Sequence, residues 1–378
     1  MHSEDIFDPE AVGSLGIIAL ESFRDVGKKI DEHLKYERAR KNQPYPQTYI
    51  VPAQEIRFSN GEGKIKLTES VRGKDMYLLC DIGNYGCKYE MYGYENHKGP
   101  DEHFQDIKRA LSAIGGKGKR VTVIMPLLYA SRQDKRKGRE SLDCAMALQE
   151  LERLGVKDII TFDVHNPNVQ NAVPLMSFEN LYATYDIVKT FFDDEPELLR
   201  DKDNLLIISP DLGGMERAIY YASVMDIDIG LFYKRRDFST IIHGKNPIVQ
   251  HEYMGRDIEG RNIIIIDDMI ASGESILDIV SELKKRGAGK IFVATTFALF
   301  TEGPAKFNEF YEQGLFDRVY STNLTYVPEK ILESPWLRQV DMSRYIAQVI
   351  EHLNHSKSIE PLIDSTEKLR TTIREYRL

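Results

Sequence analysis

Four consecutive isoleucines, Ile263 to Ile266, lead directly into Asp267-Asp268-Met269-Ile270-Ala271-Ser272-Gly273-Glu274-Ser275. A strand with one wet face alternates apolar and polar residues, whereas an unbroken apolar run fits a strand covered on both faces, as in parallel sheets. Ile276, Ile279, Val280 and Leu283 follow at helical spacing, so a helix is expected over Ser275–Arg286, with Gly287 as its stop. A buried strand, a polar turn and an amphipathic helix in that order constrain the chain to an α/β architecture.

The same alternation recurs along the chain. Strands are expected at Gly16–Leu20, Met76–Cys80, Val121–Leu128, Asp158–Val164, Leu205–Ser209, Ile227–Tyr233 and Ile291–Leu299. Helices are expected at Arg24–Tyr36, Leu142–Leu154, closed by Gly155, and Met215–Met225. With 378 residues, two domains of ordinary size are expected, each an α/β unit with a mainly parallel, doubly wound sheet. The boundaries implied are 1–183, 184–342 and a helical C-terminal segment and tail, 343–378. In the tail, Lys368, Arg370, Arg374 and Arg377 read as a solvated helix face.

Charge narrows the function. The formal net charge of −9 argues against a general nucleic-acid or anionic-membrane binder, which would need an excess of Lys and Arg. A small phosphate ligand needs only a few donors and stays open. Cys80, Cys87 and Cys144 are an odd set without close pairing, which suits reduced thiols and a cytoplasmic protein. Met1–Glu10 is acidic and not expected to be a secretory signal, and no apolar run approaches bilayer-spanning length.

In open parallel sheets ligands bind beyond the carboxyl ends of the strands. Here those ends carry His165, Asp211, Lys234 and the pair Asp267-Asp268. Paired carboxylates can accept hydrogen bonds from a vicinal diol. The hydroxyls and glycine of Ser272-Gly273-Glu274-Ser275 lead into a helix N-terminus, where backbone N–H groups and the helix dipole suit a phosphate. Diol acceptors beside a phosphate cradle fit a sugar phosphate.

That turn resembles the ribose-phosphate loop of the type I phosphoribosyltransferase fold. Other motifs follow in order: Arg57-Phe58-Ser59-Asn60-Gly61-Glu62, Glu69-Ser70-Val71-Arg72-Gly73, Arg132-Gln133-Asp134, Asp163-Val164-His165, Ser209-Pro210-Asp211-Leu212-Gly213-Gly214 and Lys234-Arg235-Arg236. Together they resemble the ribose-phosphate diphosphokinase, or phosphoribosyl pyrophosphate (PRPP) synthetase, family over Gly16 to Ile363. The resemblance implies a duplicated phosphoribosyltransferase-like fold that makes PRPP and AMP from ATP, ribose 5-phosphate and Mg2+.

Roles carried by the resemblance are these. Lys234 and Arg236 are the catalytic basic pair, and the long polar segment that follows, Asp237 to Gly260, is expected to close as a lid. Phe58, Asn60, Glu62, Arg132, Gln133, Asp134 and His165 contact ATP. Asp211, Asp267, Asp268, Ala271, Ser272, Gly273, Glu274 and Ser275 hold ribose 5-phosphate, and His165 and Asp211 hold Mg2+. The loop of Phe58 reaches a neighbouring subunit's ATP, which implies a dimer-based homo-oligomer, up to a hexamer, with a shared ATP site. Read without the resemblance, Phe58 is expected to pack in a core.

The chain departs from the family pattern at Ala271, where a third Asp is common, at Ser272 and Ser275 for Thr, and at Glu274 for Gly. Tyr129-Ala130-Ser131-Arg132 holds one residue more than the usual spacing. A regulatory paralogue without turnover and a transferase that consumes PRPP are the competing readings. The Arg132-Gln133-Asp134 motif argues against the transferase, which has no ATP to bind.

Overall fold

The computed structural model describes residues 11–136, 138–236 and 248–377. They fall into two compact units. The first comprises residues to 182 with 323–326 and 341–364. The second comprises 183–322, 327–340 and 365 onward.

The first unit contains β1 (Leu15–Ala19), α1 (Arg24–Arg40), the hairpin β2 (Ala53–Arg57) and β3 (Gly63–Leu67), and β4 (Asp75–Leu79). A second hairpin, β5 (Lys88–Met91) and β6 (Tyr94–His97), precedes α2 (Pro100–Ile114). β7 (Arg120–Ile124), α3 (Asp143–Arg153), β8 (Asp158–Phe162) and β9 (Ser177–Leu181) complete it. Its main sheet is parallel throughout, in the order β1-β4-β7-β8-β9. Residues such as Ile17, Leu78, Val123 and Ile159 are fully buried, as strands covered on both faces require.

The second unit runs through α4 (Thr184–Asp194), α5 (Glu197–Arg200), β10 (Leu205–Ser209), α6 (Met215–Met225), β11 (Asp228–Arg236) and β12 (Ile248–Met254). β13 (Asn262–Ile270), α7 (Glu274–Lys285), β14 (Ile291–Ala298), α8 (Ala305–Glu312), β15 (Arg318–Thr322), α9 (Glu329–Leu332) and β16 (Leu337–Val340) follow. The sheet order is β12-β11-β10-β13-β14-β15-β16, parallel except for β11 with β12. Chain progress therefore reverses between β10 and β13. A reversal of this kind opens a crevice at the carboxyl ends of the two central strands, where α/β proteins bind ligands.

Helices beyond 341 are shared between the units. α10 (Ser343–Asn354) and α11 (Glu360–Ile363) belong to the first, and α12 (Thr366–Arg377) to the second. α12 buries Leu369 and Ile373, and Lys368 lies over the Tyr185 ring at 3.6 Å, so the tail has a packed face as well as a solvated one.

Several boundaries shift. β13 does not stop at Ile266 but continues to Ile270, because β14 runs alongside and pairs with Asp267, Met269 and Ile270. The turn is thereby shortened to Ala271–Gly273. Leu205–Ser209 and Met215–Met225 fall where the apolar patterning puts them, and Gly155 and Gly287 take the left-handed backbone expected of helix stops. No described helix is long and apolar enough to cross a membrane.

Candidate functional site

The crevice of the second unit is built from two loops. After β10, Ser209 Oγ donates to the Asp211 carbonyl at 2.7 Å. Asp211 Oδ1 accepts from the Gly213 and Gly214 amides at 2.8 and 3.1 Å, which fixes its carboxylate at the entrance to α6. Both bonds use one oxygen of an exposed side chain. Among the described residues Oδ2 accepts no hydrogen bond.

After the apolar part of β13, Asp267 Oδ1 accepts from the Asp268 amide at 2.9 Å, and Asp268 Oδ1 from the Met269 amide at 2.8 Å. Asp268 is 7% exposed and Asp267 half-buried. Burial, and then the neighbouring Asp268 charge, push the Asp267 carboxyl well above the ordinary carboxylate range, while Arg217 pulls it back. Arg217 lies in the first turn of α6, three residues after Gly214. Its part was missed in the sequence, although the Gly213-Gly214-x-x-Arg spacing was there to be read.

The turn itself is held from behind. Gly273 has φ +86°, and a Cβ there would stand 2.4 Å from the Phe307 ring, so glycine is required for two reasons. Phe307 belongs to an aromatic cluster, stacked on Trp336 at 5.2 Å and edge-on to Phe300 at 5.1 Å. The Ala271 carbonyl accepts from the Thr301 amide at 2.9 Å. Gly273 caps α7, its carbonyl accepting from the Ile276 and Leu277 amides. Ser272 stands in the turn and Ser275 in the first helical turn. Glu274 is paired with Lys306 at 2.9 Å, and that contact holds its carboxyl below the usual range.

The expected ATP residues lie in the first unit. Arg132 and Gln133 are exposed, and Asp134 accepts from Asn166 Nδ2 at 2.5 Å, joining this loop to the one that carries exposed His165. Ala130, two residues before Arg132, has φ +55°. Tyr129 is anchored there by stacking on Phe104 at 4.3 Å.

Phe58 is not a core residue. It is 46% exposed at the tip of the β2–β3 hairpin, with the Lys64 ammonium 5.6 Å from its ring centroid. The tip is closed by its own hydrogen bonds: the Phe58 amide donates to the Glu62 carbonyl at 2.8 Å, and Asn60 bonds both the amide and the carboxylate of Glu62. A backbone bond from the Tyr92 amide to the Ser59 carbonyl, 2.9 Å, docks the β5–β6 hairpin on it.

Lys234 and Arg236 lie in β11, and their side chains are outside the described residues. Of the segment from Asp237 to Gly260 expected to close as a lid, 237–247 is outside the described residues, while Ile248–Met254 is not a loop but β12, paired antiparallel with β11. His165 and Asp211 belong to different units. Among the described residues no three His, Cys, Asp or Glu side chains are grouped to hold a metal ion.

Residues 15–155 match the family model of the N-terminal domain of ribose phosphate pyrophosphokinase, and residues 238–363 match that of the phosphoribosyl synthetase-associated domain. A ribose-phosphate pyrophosphokinase of Vibrio parahaemolyticus is 26% identical over 322 residues, covering 82% of this chain and 90% of the relative. The enzyme of that name from Ralstonia nicotianae is 28% identical over 313 residues, covering 81% and 88%. The crystal structure of phosphoribosylpyrophosphate synthetase from Mycobacterium smegmatis superimposes with a TM-score of 0.70 at 22% identity, over 90% of this chain and 98% of that one, and so shares its fold. With two family models spanning more than half of its length between them, the chain belongs to the ribose-phosphate pyrophosphokinase family.

Proposed function

We propose that the chain is an active ribose-phosphate diphosphokinase, transferring the β,γ-diphosphoryl group of ATP to the C1 hydroxyl of ribose 5-phosphate. The observation that carries this reading is the reversal between β10 and β13, whose carboxyl ends bear Asp211 and the pair Asp267-Asp268. Asp267 and Asp268 accept from the ribose hydroxyls. Ser272, Gly273 and Ser275 offer hydroxyl and backbone donors to the 5-phosphate at the start of α7. The C1 hydroxyl oxygen attacks the β-phosphorus, the bond from that phosphorus to the α,β-bridging oxygen breaks, and AMP leaves with the oxygen. The hydroxyl proton is released.

Such a transfer needs positioning and charge neutralisation more than covalent help. Arg132, Gln133, Asp134 and His165 hold ATP, and Phe58, Asn60 and Glu62 serve the nucleotide of a neighbouring subunit in a homo-oligomer. Exposure of Phe58 supports that role, since a ring awaiting a base must stand clear of its own core. Lys234 and Arg236 stabilise charge developing on the β-phosphoryl group.

Mg2+ fits the donors present. Magnesium keeps several waters and phosphate oxygens and takes one or two protein ligands. Asp211, with one oxygen fixed by two amides and the other without a partner among the described residues, suits it, and His165 is exposed for the same task. When bound, the ion supplies neutralisation of phosphate charge.

Pure protein incubated with magnesium, ATP and ribose 5-phosphate should yield AMP and PRPP in equal amounts. No AMP under saturating substrates would sink the enzyme and favour a regulatory subunit, the reading to which Ala271 lends weight.

A further inference from the structure

A carboxylate in the first turn of a helix occupies the electrostatic niche that a bound phosphate would use. Glu274 is the first residue of α7, directly after Gly273, and is a strange companion for a sugar-phosphate cradle. The structure resolves the conflict with a residue 32 positions away. Lys306 Nζ lies 2.9 Å from Glu274 Oε1, in an ion pair whose side chains are 54% and 63% exposed. The pair is not loose in its placement. Phe307, the next residue, packs on Gly273, and the Thr301 amide, four residues before α8, donates to the Ala271 carbonyl at 2.9 Å, so the segment from Thr301 to Phe307 meets the turn at three points.

An exposed pair contributes little to folding. Its consequence is local. Resting on the ribose 5-phosphate reading of this turn, we infer that Lys306 is a positioning residue for the sugar phosphate. It neutralises Glu274, so that the amides and dipole at the start of α7 face the 5-phosphate without an opposing charge. Ligand dianion and Glu274 would otherwise repel at the same helix start.

The test compares wild type, Lys306→Met, Glu274→Gln and the double variant, reading the Kd of ribose 5-phosphate by calorimetry and, separately, KM and kcat from AMP release. Lys306→Met should weaken ribose 5-phosphate about two- to fivefold, the range of a single charge at a helix terminus, in Kd and KM but not in kcat. The double variant should return to the wild-type range, and added salt should shrink the defect of the single variant. Unchanged affinity in Lys306→Met, or a double variant as weak as that single one, overturns the compensating role. A wild type that binds ribose 5-phosphate but releases no AMP fails the enzyme reading alone. A wild type that does not bind it fails both.

Discussion

Arg38 in α1 donates from Nε and Nη2 to one carboxylate oxygen of Glu351 in α10, at 3.1 and 3.0 Å, across 313 positions of chain. Both side chains are under a tenth exposed. Arg38 also donates to Asn354, whose amide reaches Asp75 at the start of β4, and Asp75 takes a two-pronged bond from Arg120 at the start of β7. A buried polar network thus seals the amino ends of the first unit's strands, opposite the ends expected to meet ATP.

Removing one partner of such a pair leaves a buried charge without compensation. Glu351→Gln and Arg38→Met should each lower unfolding free energy by about 3 kcal/mol in denaturant titrations, well above the usual effect of a surface change. Losses under about 0.5 kcal/mol would show that the network is solvated and dispensable.

Asp81 follows β4 and is 1% exposed, accepting from the Gly83 and Tyr326 amides and the Thr325 hydroxyl. Burial pushes its carboxyl up to about 7, against the lowering effect of those bonds. Because the folded value exceeds the unfolded one, the native state holds the proton more tightly. The stabilisation is full below about pH 4 and is lost as pH rises through about 7. Asp81→Asn has no such titration and leaves the Tyr326 amide facing an NH2 group. It should therefore be less stable than wild type at pH 5, with the gap narrowing by pH 8 in urea midpoints. A gap that is constant or widens with pH refutes the assignment.

How far the sequence could be read depended on the kind of signal. β10 and α6 were legible to the residue, since a continuous apolar run bounded by Pro210 and a Gly pair leaves little choice. β13 was read four residues too short, because Asp267-Asp268 ends the apolar pattern while pairing with β14 continues the strand. The β2–β3 and β5–β6 hairpins were invisible: their strands are four or five residues, mostly polar, with partly exposed faces. At the site, the acidic and hydroxyl residues announced themselves by type. Arg217 and Lys306 did not, because what makes them relevant is proximity created by folding. Phe58 was misread as core material for the converse reason, since hydrophobicity alone cannot tell a packed ring from one held out on a hairpin.

Phe58 offers a clean separation of stability from binding. At 46% exposure on a hairpin whose tip is held by Asn60 and Glu62, Phe58→Ala should leave the thermal midpoint nearly unchanged. If the ring stacks on adenine, KM for ATP should rise about tenfold, as expected for a lost base–aromatic stack, with little change in KM for ribose 5-phosphate. Equal rises for both substrates would point to a general disturbance.

Asp267 yields the sharpest electrostatic test. Its carboxyl is raised by burial first and by Asp268 next, and lowered by Arg217. The ionised carboxylate is the stronger acceptor for ribose hydroxyls, so ribose 5-phosphate binding should weaken as pH falls through a value above the ordinary carboxylate range. Asp268→Asn removes the repelling charge and should move that acidic limb to lower pH, although overall affinity falls with the lost acceptor. Arg217→Met removes the attracting charge and should move it to higher pH. Calorimetric Kd values in a pH series rising from the ordinary carboxylate value of about 4 give limb positions independent of turnover. Opposite displacements establish that the pair and the arginine act on one proton. A limb that stays in place in both variants, or moves the same way in both, would mean that Asp268 and Arg217 do not set the titration through Asp267.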